Sequence, residues 1–392
     1  LLFGVLIKES MFFCRSMHLP TGYFDGIVSE YKGNYRIHQF TCWIQMLFMM
    51  FGQLSNRERL RDLVLTINAH PGKLYHLGFG KGVSKTNLSK ANEQRSWLIY
   101  QEFAYHLVEE ARKICMPQSD ISFSFAQSVY AFDSTTIDLC LSVFCWATFR
   151  RAKGAVKLHT QYDIQTSIPV FRDVSAGSVH DVNAMDKISY EPGSFYIFDR
   201  GYLDFERLYF IEQAKSFFVI RAKNNLKFKR IYSANVDKAT GVCCDQIGTL
   251  KGYYSLKGYP KKIRRIKFYD KEQNRTFVFL TNNMNLKPDE IALLYKHRWK
   301  IELFFKWIKQ HLKITAFWGR TENAVKTQVY IAIVTYTLVA IIKQRLKSGY
   351  STYEILQILG TSLLDKTQLN QLLQKNINHD VKELLYNQLK IF

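Results

Sequence analysis

The hydrophobic pattern of this 392-residue chain changes period near residue 125, and that change restricts it to a mixed α/β fold. Up to about residue 120 the apolar residues recur at helical spacing. The run Phe40 to Leu54, FTCWIQMLFMMFGQL, predicts a buried helix ending near Gly52, and the next helix opens on a capping signal at Ser55 or Asn56. After a loop punctuated by Gly72, Gly78, Gly80 and Gly82, Ser84 is a candidate cap for a short helix carrying Lys85, Thr86, Asn87 and Lys90. Short polar and cationic side chains at a helix start suit phosphate and base-edge contacts, although an ordinary solvated helix start has the same composition.

Beyond residue 125 the spacing is that of strands. SVYAFD ends on Asp133 and SFYIFD on Asp199, each aspartate preceded by apolar residues. AVKLHTQYDI and IPVFRDVSA read as a hairpin joined through Gln165, Thr166 and Ser167. A helix follows Gly201, and SFFVIRA is a further strand. Residues 222–285 are rich in Lys, Arg and Tyr and predict two hairpins, one turning near Glu272 to Asn274. A long helix then starts at Asp289 or the Lys-Pro before it and includes Tyr295 to Lys309, YKHRWKIELFFKWIK. Val329 to Ile342 is an apolar run of about 14 residues, short of the about 20 that span a bilayer, and predicts a buried helix. The leucines at 356, 359, 363, 364, 369 and 372 follow helical spacing, which suits a core face better than a dimer seam.

Charge narrows the partner. The 54 Lys and Arg outnumber 33 Asp and Glu, giving a net charge of +21, so a polyanion is expected: nucleic acid rather than a membrane surface. The seven Cys form no CxxC pair and no Cys/His cluster of zinc spacing. No cationic segment precedes the short apolar stretch at the N-terminus, which Lys8 and Glu9 interrupt, so no signal peptide is expected. Reduced thiols and no export signal point to the cytoplasm, close to nucleic acid.

Three carboxylates carry the candidate chemistry. On an α-helix Tyr295, Arg298, Glu302 and Lys309 fall within roughly 60° of one another, with Lys306 beside them. Ile301, Leu303, Phe304 and Ile308 form the opposite, docking side. Taken alone this is a solvated basic face with an internal ion pair, and a lone strand-end aspartate merely starts a turn. Asp133, Asp199 and Glu302 together would repel one another unless cations lay between them. Their hard oxygen donors suit Mg²⁺ or Mn²⁺, two ions about 4 Å apart activating an attacking water and stabilising the leaving oxygen of a phosphodiester. Arg298 and Lys309 would hold phosphates, and Tyr295 would hydrogen-bond or stack. With a metal-activated water, His159, His180 and His297 are unnecessary as bases. The basic loop Arg150, Arg151, Lys153 is a further candidate DNA contact, as are Arg200 beside Asp199, Arg320 and Lys326.

These residues resemble the DDE transposases of bacterial insertion sequences, of the IS-four type. The signature Tyr-x2-Arg-x3-Glu-x6-Lys is met by Tyr295, Arg298, Glu302 and Lys309, the first Asp stands in AFDSTTIDL and the second in FDRGYLDF, at intervals of 66 and 103 residues. NRERLRDL, YHLGFGKGVSKTNLSKAN and EFAYHLVEEAR are similar as well. The resemblance implies a ribonuclease-H-like core (residues 125–221 and 286–346) interrupted by a β-rich insertion (222–285), a helical N-terminal DNA-binding region (11–120) and a helical tail (347–392). It implies cut-and-paste transposition, with Asp133, Asp199 and Glu302 as catalytic metal ligands for two Mg²⁺ or Mn²⁺. The partners implied are double-stranded DNA, as terminal inverted repeats and target, and a second copy of the chain. Several relatives pass through a hairpin that needs a flipped base held by aromatics, some using a Trp of the insertion. None of the six Trp here lies between 222 and 285, leaving Tyr232, Tyr253 and Tyr254 as substitutes. A general nuclease on the same core, or a decayed transposase acting only as a DNA-binding protein, are the alternatives.

Overall fold

A computed structural model describes residues 20–74, 78–115, 127–150, 153–314, 316–364 and 369–373. The N-terminal helices are α1 (Thr21–Glu30), α2 (Cys42–Leu54), α3 (Leu60–Asn68), the single turn α4 (Pro71–Leu74), α5 (Lys85–Gln94) and α6 (Leu98–Ile114). The Thr41 hydroxyl caps α2 by accepting the Ile44 N–H, and every residue from Gln45 to Leu54 is buried. Ser84 caps α5 as expected, accepting the Asn87 N–H. The cap expected at Ser55 or Asn56 is not formed. Ser55 ends α2 with its N–H on the Phe51 carbonyl, Asn56 turns the chain at φ +56°, and α3 starts at Leu60 with no side-chain cap.

The strands are β1 (Val129–Leu139), β2 (Thr148–Arg150), β3 (Lys153–Asp163), β4 (Pro169–Ala176), β5 (Phe195–Phe198), β6 (Phe217–Arg221), β7 (Phe228–Ala234), β8 (Val242–Leu250), β9 (Ile263–Asp270) and β10 (Arg275–Thr281). Helix α7 (Phe205–Gln213) connects β5 to β6, and α8 (Tyr253–Gly258) connects β8 to β9. The described strands form one sheet of order β2-β3-β1-β5-β6-β10-β9-β8-β7, with β4 also on β3. β1, β5 and β6 are parallel, and the other pairings are antiparallel. Both expected hairpins of residues 222–285 are present. They are built into the same sheet, because β10 pairs with β6 from Phe279–Arg221 to Thr281–Val219. At the far edge a Cβ on Gly248 would lie 2.2 Å from the Lys229 carbonyl oxygen. Gly248→Ala is therefore expected to detach β7, seen as fast amide exchange across residues 228–234 with the central strands still protected; unchanged protection there would contradict this.

Strand parity divides the core. Val129, Ala131, Phe195, Ile197 and Val219 face the larger apolar cluster, shared with α2, α6 and the C-terminal helices, while Tyr130, Phe132, Tyr196, Phe198, Phe218 and Ile220 face a second cluster closed by Leu208 and Ile211 of α7. The C-terminal helices are α9 (Pro288–Lys296), α10 (Trp299–His311), α11 (Glu322–Arg345), α12 (Thr352–Ser362) and α13 (Leu369–Leu373). α11 extends the predicted buried run to 24 residues, and is long and apolar enough to cross a bilayer. Here 89% of its apolar window is buried within the protein, where it packs on α2, α5, α6 and α12. An all-round apolar helix enclosed in this way is the centre of a helical layer. Leu356 and Leu359 join that core, with Leu363, Leu364 and Leu372 half-buried against it.

The composition of Tyr295 to Lys309 predicts one helix, and the structure instead divides it between α9 and α10. Through His297 to Ile301 the bonding tightens to i→i−3, with Arg298 N–H on the Tyr295 carbonyl, Lys300 on His297 and Ile301 on Arg298. Each such step advances the chain about 120° rather than about 100°. The docking side of α10 is accordingly shifted: Ile301, Phe304, Phe305 and Ile308 are buried, and Leu303, expected on that side, is exposed.

Candidate active site

Parallel pairing of β1 with β5 puts Phe132 opposite Phe198, so Asp133 and Asp199 stand at the same level, about 4.8 Å apart in strand spacing; β5 ends just before Asp199, whereas β1 does not end on Asp133 as its sequence suggests but runs on to Leu139 in its ladder with β3. Their odd parity turns both toward the face on which α9 and α10 pack. Arg298, at the start of α10, joins the groups. Its guanidinium donates to Asp133 Oδ2 at 3.2 Å and to Glu302 Oε1 at 2.5 Å, and its carbon lies 5.7 Å from the centre of the Tyr295 ring. The Tyr295 hydroxyl donates to Asp199 Oδ1 at 3.2 Å. The three carboxylates thus face one cleft, linked by one cation and one phenol.

Their environments differ. Burial pushes the Asp133 carboxyl up to about 6; the Ser134 N–H and Arg298 oppose the rise, while Glu302 and Asp199 add to it. The Glu302 side chain is 55% exposed and that of Arg298 only 16%, so the acid is reachable from solvent while its partner is seated. Burial raises the Tyr295 phenol to about 12, so it is a proton donor at neutral pH. The Arg298 Nε is buried with no hydrogen-bond partner among the described residues.

The other candidates scatter. Lys309 is half-buried and donates to the Thr136 carbonyl of β1 at 2.7 Å, and burial lowers its pKa. Lys306 and Arg200 are exposed, as are Lys85, Asn87 and Lys90 on α5. Arg150 and Lys153 lie at the β2–β3 connection, and Arg151 falls outside the described residues. Lys326 pairs with Glu322 at 2.7 Å and lies 4.4 Å from the Trp97 ring centre. His159 is fully buried against the Ser175 hydroxyl at 2.8 Å, which removes it as a base for a ligand in the cleft.

Beside Tyr295 and Arg298 opens a cavity of about 460 Å³ lined by Arg221, Phe277, Phe279 and Trp299, among others. Tyr232, Tyr253 and Tyr254 are exposed and do not line it. Phe277 and Phe279 were missed because they alternate as an ordinary hairpin strand. Trp299 stood next to Arg298 in HRWKIE and could have been read as a cleft residue from that position alone.

The donor set is all oxygen, which suits a hard divalent cation. Among the described residues no three metal-ligating side chains close on one point, since the Arg298 guanidinium lies between Asp133 and Glu302. A cation there would favour the ionised form of Asp133, which burial disfavours first and the charges of Glu302 and Asp199 disfavour further.

A family model described as a transposase DDE domain matches residues 124–338, and one described as a domain of unknown function matches residues 16–80. A Sinorhizobium fredii protein named as the transposase y4zB is 36% identical over 213 residues, 53% of this chain and 59% of that protein. A Geobacillus stearothermophilus protein named as the transposase for insertion sequence element IS5377 is 31% identical over 231 residues, 57% of this chain and 59% of that protein. A Synechocystis protein named as the transposase for element IS4SA is 24% identical over 297 residues, 73% of this chain and 80% of that protein. The matched stretch thus spans 59% of the length of the first two relatives.

Proposed function

The chain belongs to the family of transposases with a DDE domain, and on that premise we propose that it cuts DNA at the ends of an insertion sequence and joins the freed ends to target DNA. The observation that carries this reading is the meeting of Asp133, Asp199 and Glu302 at one cleft through Arg298 and Tyr295. Asp133, Asp199 and Glu302 are the proposed catalytic residues and would hold two Mg²⁺ or Mn²⁺ ions. With those ions bound, a water or a 3′-hydroxyl is activated for attack and the leaving oxygen of the phosphodiester is stabilised. Arg298 holds the carboxylates against each other until a DNA phosphate competes for its guanidinium, a planar fork suited to phosphate oxygens. Tyr295 orients Asp199, and Lys306, Lys309 and Arg200 supply cations along the DNA path.

The strand order β4-β3-β1-β5-β6, with β1, β5 and β6 parallel, supports a ribonuclease-H-like core over residues 125–221 and 286–346. Residues 222–285 are the β-rich insertion, and residues 347–392 the tail. Residues 11–120 form the DNA-binding region, with Lys85, Asn87 and Lys90 exposed on α5 as contacts, and Arg150, Arg151 and Lys153 are further contacts. The aromatic cavity of Phe277, Phe279 and Trp299 suits a base turned out of a duplex better than the exposed Tyr253 and Tyr254. Two copies of the chain hold the two ends together, and the bacterial cytoplasm is where they act.

The test is cleavage by the purified chain, with Mg²⁺, of duplexes carrying the element's terminal repeat or a scrambled repeat. Cuts at the junction of the repeat only are expected. Equal cutting of both duplexes replaces this reading with a general nuclease, and binding without cutting replaces it with a DNA-binding protein.

A further inference from the structure

Behind Asp133 a chain of polar groups crosses to the opposite face of the sheet. Ser134, the next residue of β1, donates its backbone N–H to Asp133 Oδ1 at 2.8 Å and its hydroxyl to Asp181 Oδ1 at 2.8 Å. Asp181 opens the 3₁₀ turn Asp181–Lys187 that covers this face. The same Asp181 oxygen lies 3.2 Å from Lys157 Nζ, on a side chain only 10% exposed, and that ammonium also donates to the Val179 carbonyl at 2.8 Å. Strand register explains the meeting: Ser134 stands opposite His159 on β3, and Lys157 lies two residues away on the same face. Next to these groups the buried Tyr202 hydroxyl lies beside the Ser134 side chain and near the charges of Asp133, Asp181 and Asp199.

We propose that Asp181, locked by Lys157, is a positioning residue that acts through Ser134 to pin one oxygen of Asp133 and leave the other turned to the cleft. The proposal rests on the reading of Asp133 as a metal ligand. In the present arrangement Asp133 Oδ1 is held by Ser134 and Oδ2 by Arg298. Once Arg298 turns to a phosphate, the Ser134 N–H is the restraint left on the carboxylate among the described contacts, and the Asp181 contact adds to the β1–β3 ladder in fixing the residue that carries it. Residues that orient a metal ligand from behind typically change metal affinity 10–100-fold when removed.

The readout is Mn²⁺ affinity, from the paramagnetic resonance signal of free Mn²⁺, alongside thermal midpoint and affinity for end DNA without metal. Asp181→Ala and Ser134→Ala are each expected to weaken Mn²⁺ binding about tenfold with DNA affinity unchanged. The double variant is expected to lose no more than the worse single one, because both act along one path. Ser134→Thr, which keeps the hydroxyl, is expected to stay within about twofold of the parent. Ser134→Ala removes one oxygen, so it carries the test even if Asp181→Ala fails to fold. A tie that served only to hold the turn on the sheet would lower the thermal midpoint and leave Mn²⁺ affinity as it was. That outcome, or fully additive losses in the double variant, overturns the proposal when Asp133→Asn has itself lost Mn²⁺ binding. Retained Mn²⁺ binding in Asp133→Asn overturns the metal-site reading and this proposal with it.

Discussion

Asp133→Asn is expected to abolish strand cleavage and, in the absence of metal, to make the protein harder to unfold at pH 7.5. The first half follows from removing a proposed metal ligand, with a loss of at least about 10³-fold. The second half follows from the raised carboxyl. Its folded pKa of about 6 stands above the ordinary aspartate value of 3.8, so the folded chain holds the proton more tightly than the unfolded one does. The stability contributed by that proton is fully present below about pH 4 and is lost as pH rises through about 6. At pH 7.5 the ionised carboxylate costs the folded state roughly 1–3 kcal/mol, which an amide of the same shape does not. Denaturant midpoints of parent and variant should therefore meet near pH 4 and separate toward pH 7.5, the variant above. Mg²⁺ should raise the parent alone, since only the parent keeps the full ligand set. A variant less stable than the parent at pH 7.5 would show that Arg298 stabilises the ionised carboxylate by more than burial opposes it.

The parts of this site that one strand encodes could be read from the chain; the parts that need two strands or two helices could not. YAFD and YIFD pointed to Asp133 and Asp199 because each carboxylate follows a run of buried apolar residues, although only the second strand ends there and β1 continues to Leu139. Their equal level came from the Phe132–Phe198 register, which no local pattern carries. Glu302 was found from helical spacing, yet the same spacing put Leu303 in the core, because it assumed an unbroken helix. The tightened turn at His297–Ile301 lies where Tyr295 reaches Asp199 and Arg298 reaches Asp133, a tertiary demand that overrides the uniform period. Lys309 also donates to the Thr136 carbonyl of β1, a contact that its sequence neighbours do not reveal. The contacts of Asp181 are hidden from the sequence as well, since its partners Ser134 and Lys157 lie on strands 47 and 24 residues away. The same reasoning applies to residues 222–285: alternation disclosed the hairpins, while the β6–β10 pairing that makes them part of the central sheet is a long-range contact.

That pairing makes the far half of the sheet a support for the catalytic helices, and one buried ion pair is its fastening. Arg264 of β9 meets Asp245 of β8 in a two-pronged contact at 2.8 and 2.7 Å, with both side chains under a tenth exposed. Its remaining nitrogen donates to the carbonyls of Asn283 at 3.2 Å and Leu286 at 2.7 Å, in the loop between β10 and α9. The Asn283 side chain accepts the N–H groups of Asn285 and Leu286, so the loop is tied down just before α9, the helix that carries Tyr295 in its last turn. Asp245→Ala leaves the guanidinium buried with its fork empty and is expected to destabilise the protein by about 3–5 kcal/mol in denaturant unfolding. Replacing both partners by apolar residues of similar size, Asp245→Leu with Arg264→Met, removes the stranded charge and is expected to recover most of that loss. It does not restore the two loop carbonyl contacts. The double variant should therefore unfold like the parent yet cut DNA at least about tenfold more slowly, because α9 no longer holds Tyr295 and Arg298 over the aspartates. Parental cleavage in a stable double variant would separate the two roles and leave the ion pair a contributor to folding alone.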